Sequence, residues 1–191
     1  MGHGLGVAPS FYIVKPRDMA GVDWHSYHIS LGNTQRISLN STAAAVTSPY
    51  WNNTSPTSTV FSLGGAWSTI GRLVAYCFAP VVGYSNGFSY TGNGAADGSF
   101  VYLGFRPRLI MLKRSDSTSN WTLLDTSREG YNVDNDPLYP NLSDAEGTTD
   151  LLDITSNGFK LRSTDASVNA SAGTYIGFAW AEAPFAYSRA R

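Results

Sequence analysis

Leu103-Gly104-Phe105-Arg106-Pro107, followed by Leu109-Ile110-Met111-Leu112-Lys113 and Asp116, decides how this sequence is read. Leu5-Gly6-Val7-Ala8-Pro9, followed by Phe11-Tyr12-Ile13-Val14-Lys15 and Asp18, is the same arrangement 98 residues earlier. The correspondence continues outward. Trp24 falls on Trp121, Tyr76-Cys77-Phe78-Ala79 on Phe178-Ala179-Trp180-Ala181 at an offset of 102, and Tyr84-Ser85 on Tyr187-Ser188 at 103. An offset that drifts so little over such a length is the mark of an internal repeat. The chain therefore divides into a first β-unit, residues 1–87, and a second, residues 88–191, packed together as one compact body.

Within each copy the pattern is strand, turn, strand. Residues 11–14 and 109–112 are short apolar runs stopped by charge, as expected of strands covered on both faces. Trp24, Ser26 and His28 alternate with His25 and Tyr27, and Phe159 and Leu161 with Lys160 and Arg162, which is the period of a half-buried strand. Turn signals lie between them: Gly64-Gly65, Ser85-Asn86-Gly87, Gly92-Asn93-Gly94, Asp97-Gly98, Ser156-Asn157-Gly158 and Ala172-Gly173. Helical spacing is confined to residues 43–46 and 143–146. These features predict an all-β chain, an antiparallel β-sandwich built from two tandem copies of one β-rich unit, with little helix.

Residues 87–94 and 99–102 read as a hairpin arm ahead of copy two, whereas copy one is preceded only by residues 1–4. Copy one thus lacks a leading strand. Natural sheets avoid open edges, so a neighbouring chain or an upstream segment is expected to cover it, and a homo-oligomer, with a trimer favoured, follows as the expectation.

Composition excludes several classes. Ser, Thr, Asn and Gly make up 70 of the 191 residues, the balance of a turn-rich β protein, and 42% hydrophobic content suffices for a core. A net charge of -1 with only 14% charged residues is no nucleic-acid footprint. No apolar run approaches the ~18 residues of a membrane span, and no signal-peptide order opens the chain. With Cys77 as the lone cysteine, no internal disulfide can form.

Catalytic and metal-binding constellations are not found, and neither an enzyme nor a cofactor is expected. His3 sits in a terminus expected to fray, while His25 and His28 point to opposite faces of one strand and read as surface or interfacial residues. Asp134-Asn135-Asp136 lacks the ligand series of a calcium loop. The carboxylates Asp144, Glu146, Asp150 and Asp153 have nothing to set a glycosidase spacing. Binding is better represented. Tyr50, Trp51, Asn52 and Asn53 form a Pro-flanked polar loop with two aromatics, and Tyr131, Asn132, Asp134 and Asp136 a similar mixture in copy two. A flat ring beside amides suits a sugar or a protein interface, and equally suits a cap on the sandwich core. Ten Arg against three Lys favour fixed ion pairs in packed interfaces.

The runs at residues 4–9, 74–79, 89–94, 104–107 and 156–169, together with the ending Tyr187-Ser188-Arg189-Ala190-Arg191, resemble an uncharacterised domain family of tailed bacteriophages found in tail-fibre and other virion proteins. The resemblance implies a virion structural role and location. Its partners would be other virion proteins and a host surface glycan or protein, without nucleic acid or membrane insertion. It brings no catalytic residues. Two readings follow: a tail-fibre or receptor-binding component, and a capsid decoration or other architectural protein that binds only virion partners. Those relatives carry the domain behind a longer fibre region, whereas this chain starts almost at the domain itself.

Overall fold

A computed structural model describes residues 1–128, 132 and 136–183. Twelve described strands form three antiparallel sheets. The first contains β1 (Phe11–Pro16), β2 (His25–His28), β3 (Gln35–Ser38), β4 (Val46–Thr47) and β5 (Leu73–Phe78) in the order β4-β3-β2-β1-β5. The second contains β6 (Ser85–Thr91), β8 (Pro107–Arg114), β9 (Trp121–Asp125) and β12 (Thr174–Ala181) in the order β6-β12-β8-β9. The third joins β7 (Phe100–Tyr102), β10 (Leu152–Thr155) and β11 (Gly158–Leu161) in the order β10-β11-β7. Helix is limited to one turn, α1 (Ala166–Asn169), and two 3-10 turns, Pro49–Trp51 and Gly65–Trp67. The sandwich expectation holds.

Side-chain alternation places the four-stranded sheet in the middle. One of its faces presents Met111, Trp121, Ile176 and Phe178 to Phe11, Ile13 and Ile37 of the five-stranded sheet. The other presents Ile110, Leu112, Leu124 and Tyr175 to Val101, Ile154, Phe159 and Leu161 of the three-stranded sheet. On the far side of the five-stranded sheet, Tyr12, Val14 and Tyr27 are covered by Trp51, Phe61 and Trp67 rather than by strands. Stacking explains why β1 and β8 are continuous apolar runs: both faces are inside. It also corrects the half-buried reading of the second strand, since all four residues of β2 are buried.

The repeat is carried into three dimensions strand by strand. Phe11 and Ile13 pair with Phe78 and Tyr76, and Leu109 and Met111 pair with Trp180 and Phe178, so the offsets of 98 and 102 become one register. Each copy closes with the same two latches. The Trp24 amide donates to Asn40 Oδ1 at 2.9 Å and the Trp121 amide to Asn141 Oδ1 at 2.8 Å. The Arg72 and Thr174 amides, just before and at the start of β5 and β12, donate to the carboxylates of Asp18 and Asp116. The N-terminus does not fray. Its ammonium donates to Phe61 O at 2.7 Å and its backbone bridges Val60, as β7 pairs with β11 in copy two.

Four local expectations are overturned. The supposed hairpin arm is two strands in different sheets: β6 pairs with β12, and β7 with β11. The line drawn between residues 87 and 88 falls inside β6, which follows β5 in the chain yet completes the sheet of copy two. Residues 43–46 and 143–146 form no helix, and Val46 opens β4. The Asn157-Gly158 turn signal does not take the left-handed backbone that Asn-Gly favours in a tight hairpin, since neither residue has a positive φ. Gly158 is needed instead for close approach, since a Cβ there would overlap the Val101 carbonyl oxygen of β7.

Candidate functional site

The aromatic loop of copy one is part of the core. Trp51 is fully buried, and its indole N–H donates to Gln35 O at 2.8 Å. Tyr50 is half-buried, with its ring 4.5 Å from that of His25 and 5.2 Å from that of Trp67, and with the Arg36 guanidinium 4.8 Å from its centre. Its carbonyl accepts from the Trp67 indole at 3.1 Å. Trp51 therefore has no free face, which corrects its assignment as a ligand contact. Asn52 and Asn53 are exposed in left-handed conformations that close the 3-10 turn.

Copy two's candidates are placed elsewhere. Tyr131 and Asp134 lie outside the described residues. The Asn132 side chain bonds both ways with the Ile154 backbone, at 2.7 and 2.9 Å, and so extends the edge of β10. The Asp136 carbonyl accepts from Arg128 at 2.7 Å. Trp51 and Asn132 thus belong to opposite outer layers and make no common site. Of the four carboxylates once weighed as paired acids, Glu146 is tied to Arg128 and Asp153 to Arg162.

His25 and His28 are buried, not on the surface. His28 Nε2 donates to the Gly177 carbonyl of β12 at 3.0 Å, while its Nδ1 accepts the Ser30 amide at 3.2 Å. Burial depresses its pKa to about 4 against a modest opposing effect of that carbonyl. His25 is likewise pushed down to about 4, by burial and then by Arg36, whose guanidinium sits 3.0 Å from its Nδ1. Among the described residues no three His, Cys, Asp or Glu side chains are grouped to hold a metal. No described helix is long and apolar enough to cross a membrane.

Two concave surfaces among the described residues bear on binding. One is a cleft of about 630 Å³ at the seam of the two copies, lined by Ser30, Gln35, Ser89, Ser115, Asp116 and Thr174 among others. Hydroxyls dominate it, and Arg114 holds the Asp116 carboxyl below the usual range. It offers hydrogen bonds without an aromatic platform: the Tyr90 and Tyr175 rings stack on each other at 4.8 Å, and their hydroxyls donate to Val168 O and Ala166 O.

The other is apolar. Between β5 and β6 the chain makes a tight turn in which Val81 and Ser85 exchange backbone bonds of 2.8 and 3.0 Å. Gly83 takes φ of 73°, which allows the reversal. Val82 at the tip is completely exposed. A hollow of about 470 Å³ opens beside it, lined by Val81, Val82, Asn86, Tyr102, Leu103 and Phe105. Tyr102 is two-thirds exposed and Phe100, also on β7, about half. A β-branched residue at a turn tip beside an exposed ring gains nothing from water, so this hollow is a candidate contact surface. Sequence reasoning missed it, although Val81-Val82 between Pro80 and Gly83 is an apolar pair in a turn context and was the available signal.

The profile of a family described as Domain of unknown function (DUF7483) matches residues 1–184, so the chain belongs to that family. No curated protein and no solved structure matches it.

Proposed function

We propose that this member of the DUF7483 family is a structural component of a bacteriophage virion, of the tail-fibre or receptor-binding kind, whose working contact is the apolar hollow beside Val82. The observation that carries the reading is a fully exposed valine at a turn tip next to the exposed ring of Tyr102. The turn's own backbone supports it, because the Val81–Ser85 bonds tie its base and hold Val82 in place before it meets a partner. The resemblance of the sequence motifs to those of phage virion proteins supports the location. The hollow's apolar lining favours a protein partner over a sugar, which also keeps the decoration reading alive: a partner within the particle would use the same surface.

Labelled protein applied to host cells, to their isolated polysaccharide and to phage particles lacking it separates the two. Retention on cells is expected for the adhesin, and retention on particles alone for the architectural protein. Val82→Asp should leave the melting temperature unchanged, since the side chain packs against nothing, and should weaken the retention at least tenfold. Unchanged retention would refute the site.

A further inference from the structure

The seam between the two copies opens at one end, and both facing sheets change chemistry there. On the four-stranded sheet, Phe178, Ile176 and Thr174 share one face of β12, and the β6 residues paired with Ile176 and Thr174 are Ser89 and Thr91. On the five-stranded sheet, the inward Ile37 of β3 is preceded on the same face by Gln35. Apolar side chains fill the seam as far as Ile176 and Ile37, and beyond them lies the cleft of about 630 Å³. That volume falls within the ~300–1,000 Å³ of small-molecule sites.

The walls are fixed before anything enters. Lys113 Nζ and the Ser119 amide donate to Thr42 O at 3.1 and 2.9 Å, and the Ala45 amide donates to Ser115 O at 2.9 Å. These bonds tie residues 42–45 of copy one to copy two. The turn that carries Ser30 is held by its amide bond to His28 Nδ1 and by the Leu31 amide donating to His28 O at 3.0 Å. Pre-formed walls spare a ligand the cost of ordering them.

The polar groups inside are uncommitted. The side chains of Ser30, Gln35, Ser89 and Thr91 line the cleft and make no hydrogen bond to another described residue. Hydroxyls and a carboxamide both donate and accept, which suits a ligand whose own groups do the same. Among the described residues the one charged side chain in the lining is Asp116, already paired with Arg114 at 2.9 Å. In copy one the place of Thr174 is taken by Arg72, whose guanidinium clasps Asp18 at 2.8 and 2.9 Å. Thr174 sets a hydroxyl there instead.

We infer that the seam cleft binds a neutral sugar residue of an oligosaccharide, whose hydroxyls take the places of water on Ser30, Gln35, Ser89 and Thr91. Leu31 and Ile176 offer apolar ground to the C–H face of the ring. Without an aromatic platform, hydrogen bonds set the selectivity. An acidic sugar meets the Asp116 carboxylate with no free cation beside it among the described residues. The cleft uses the last residues of β6 and the Val82 hollow its first, so the two sites are separate and this inference does not rest on the other.

An array of neutral, uronic-acid and sialic-acid oligosaccharides, probed with the labelled full chain, tests it. Neutral members are expected to bind at least tenfold more tightly than acidic ones. Ser89→Ala combined with Thr91→Val removes two hydroxyls that hold nothing in the protein, and should weaken that binding at least tenfold with the melting temperature unchanged. Asp116→Asn keeps an acceptor for the Thr174 amide while freeing the Arg114 charge, and should narrow the preference for neutral sugars. Val82→Asp should leave sugar binding as it is. No retention on the array, retention confined to acidic members, or retention indifferent to the double substitution would each overturn the inference.

Discussion

Lowering the pH should test the joint between the two copies at a single residue. His28 is fully buried between the five- and four-stranded sheets, and its two hydrogen bonds define the neutral tautomer, with Nε2 donating to Gly177 O and Nδ1 accepting from Ser30 N. A second proton would leave Nδ1–H facing the Ser30 N–H with no acceptor. The folded pKa of about 4 lies below the unfolded 6.5. The unfolded chain therefore takes up a proton that the folded chain refuses, so this stability is complete above pH 6.5 and is lost as the pH falls towards 4. Linkage puts the loss at about 2–3 kcal/mol by pH 4.5. His28→Gln keeps an amide donor for Gly177 and an acceptor for Ser30 but does not titrate. Urea unfolding followed by tryptophan fluorescence, from pH 7.5 to 4.5, should show wild type losing about 2–3 kcal/mol more than the variant. Parallel curves would refute the reasoning. Asp18, Asp97, Asp116 and Asp125, all held below their usual range, affect both proteins alike.

Phe178→Ala should cost about 3–5 kcal/mol and lower the melting temperature by roughly 10 °C in one cooperative transition, because Phe178 meets Phe11 and Phe78 of the other copy. Two separate calorimetric transitions, only one of them shifted, would mean the copies fold independently. Gly158→Ala should cost about 2–3 kcal/mol through its overlap with Val101, and amide exchange should report opening of β7. Asn141→Ala should destabilise by about 1–2 kcal/mol in urea and Asn40→Ala by less than about 1 kcal/mol, since the bond to Trp121 is partly buried and that to Trp24 is exposed.

The repeat made much of the fold legible, because backbone register is a matter of spacing and spacing survives divergence. The equivalence of Ile13 with Met111 and of Tyr76 with Phe178 could be written down before any contact was known. What covers each face could not. Period-two alternation says which side chains share a face, yet His25 and Ser26 read as parts of a half-buried strand because nothing in their spacing announces a layer above each face. Ser85-Asn86-Gly87 carries turn residues and lies in a strand, since Gly87 serves close approach: a Cβ there would crowd the Ser10 side chain. The candidate sites failed for a related reason. Trp51 looks the same in sequence whether its ring faces solvent or Tyr12, whose ring it meets edge-on at 4.9 Å. Asn40 and Asn141, 101 residues apart, were a readable pair that only the latch geometry makes meaningful.

The two copies meet through like faces, and this constrains them unequally. The shared face must stay apolar in both, because Phe11 in one packs on Phe178 in the other and neither can change without the other. Their outer faces carry no such mutual demand. One is covered by the short sheet β10-β11-β7, the other by a loop with two tryptophans. Packing therefore leaves more freedom of sequence in the covers and in the segments that cross between copies. Val82 lies on such a crossing, between β5 of copy one and β6 on the sheet of copy two, and Tyr102 ends a strand of the outer cover. The contact proposed at Val82 thus lies where the fold least restricts sequence, while its backbone is held by both copies at once. That combination allows a partner to change without any change in the sheets beneath it.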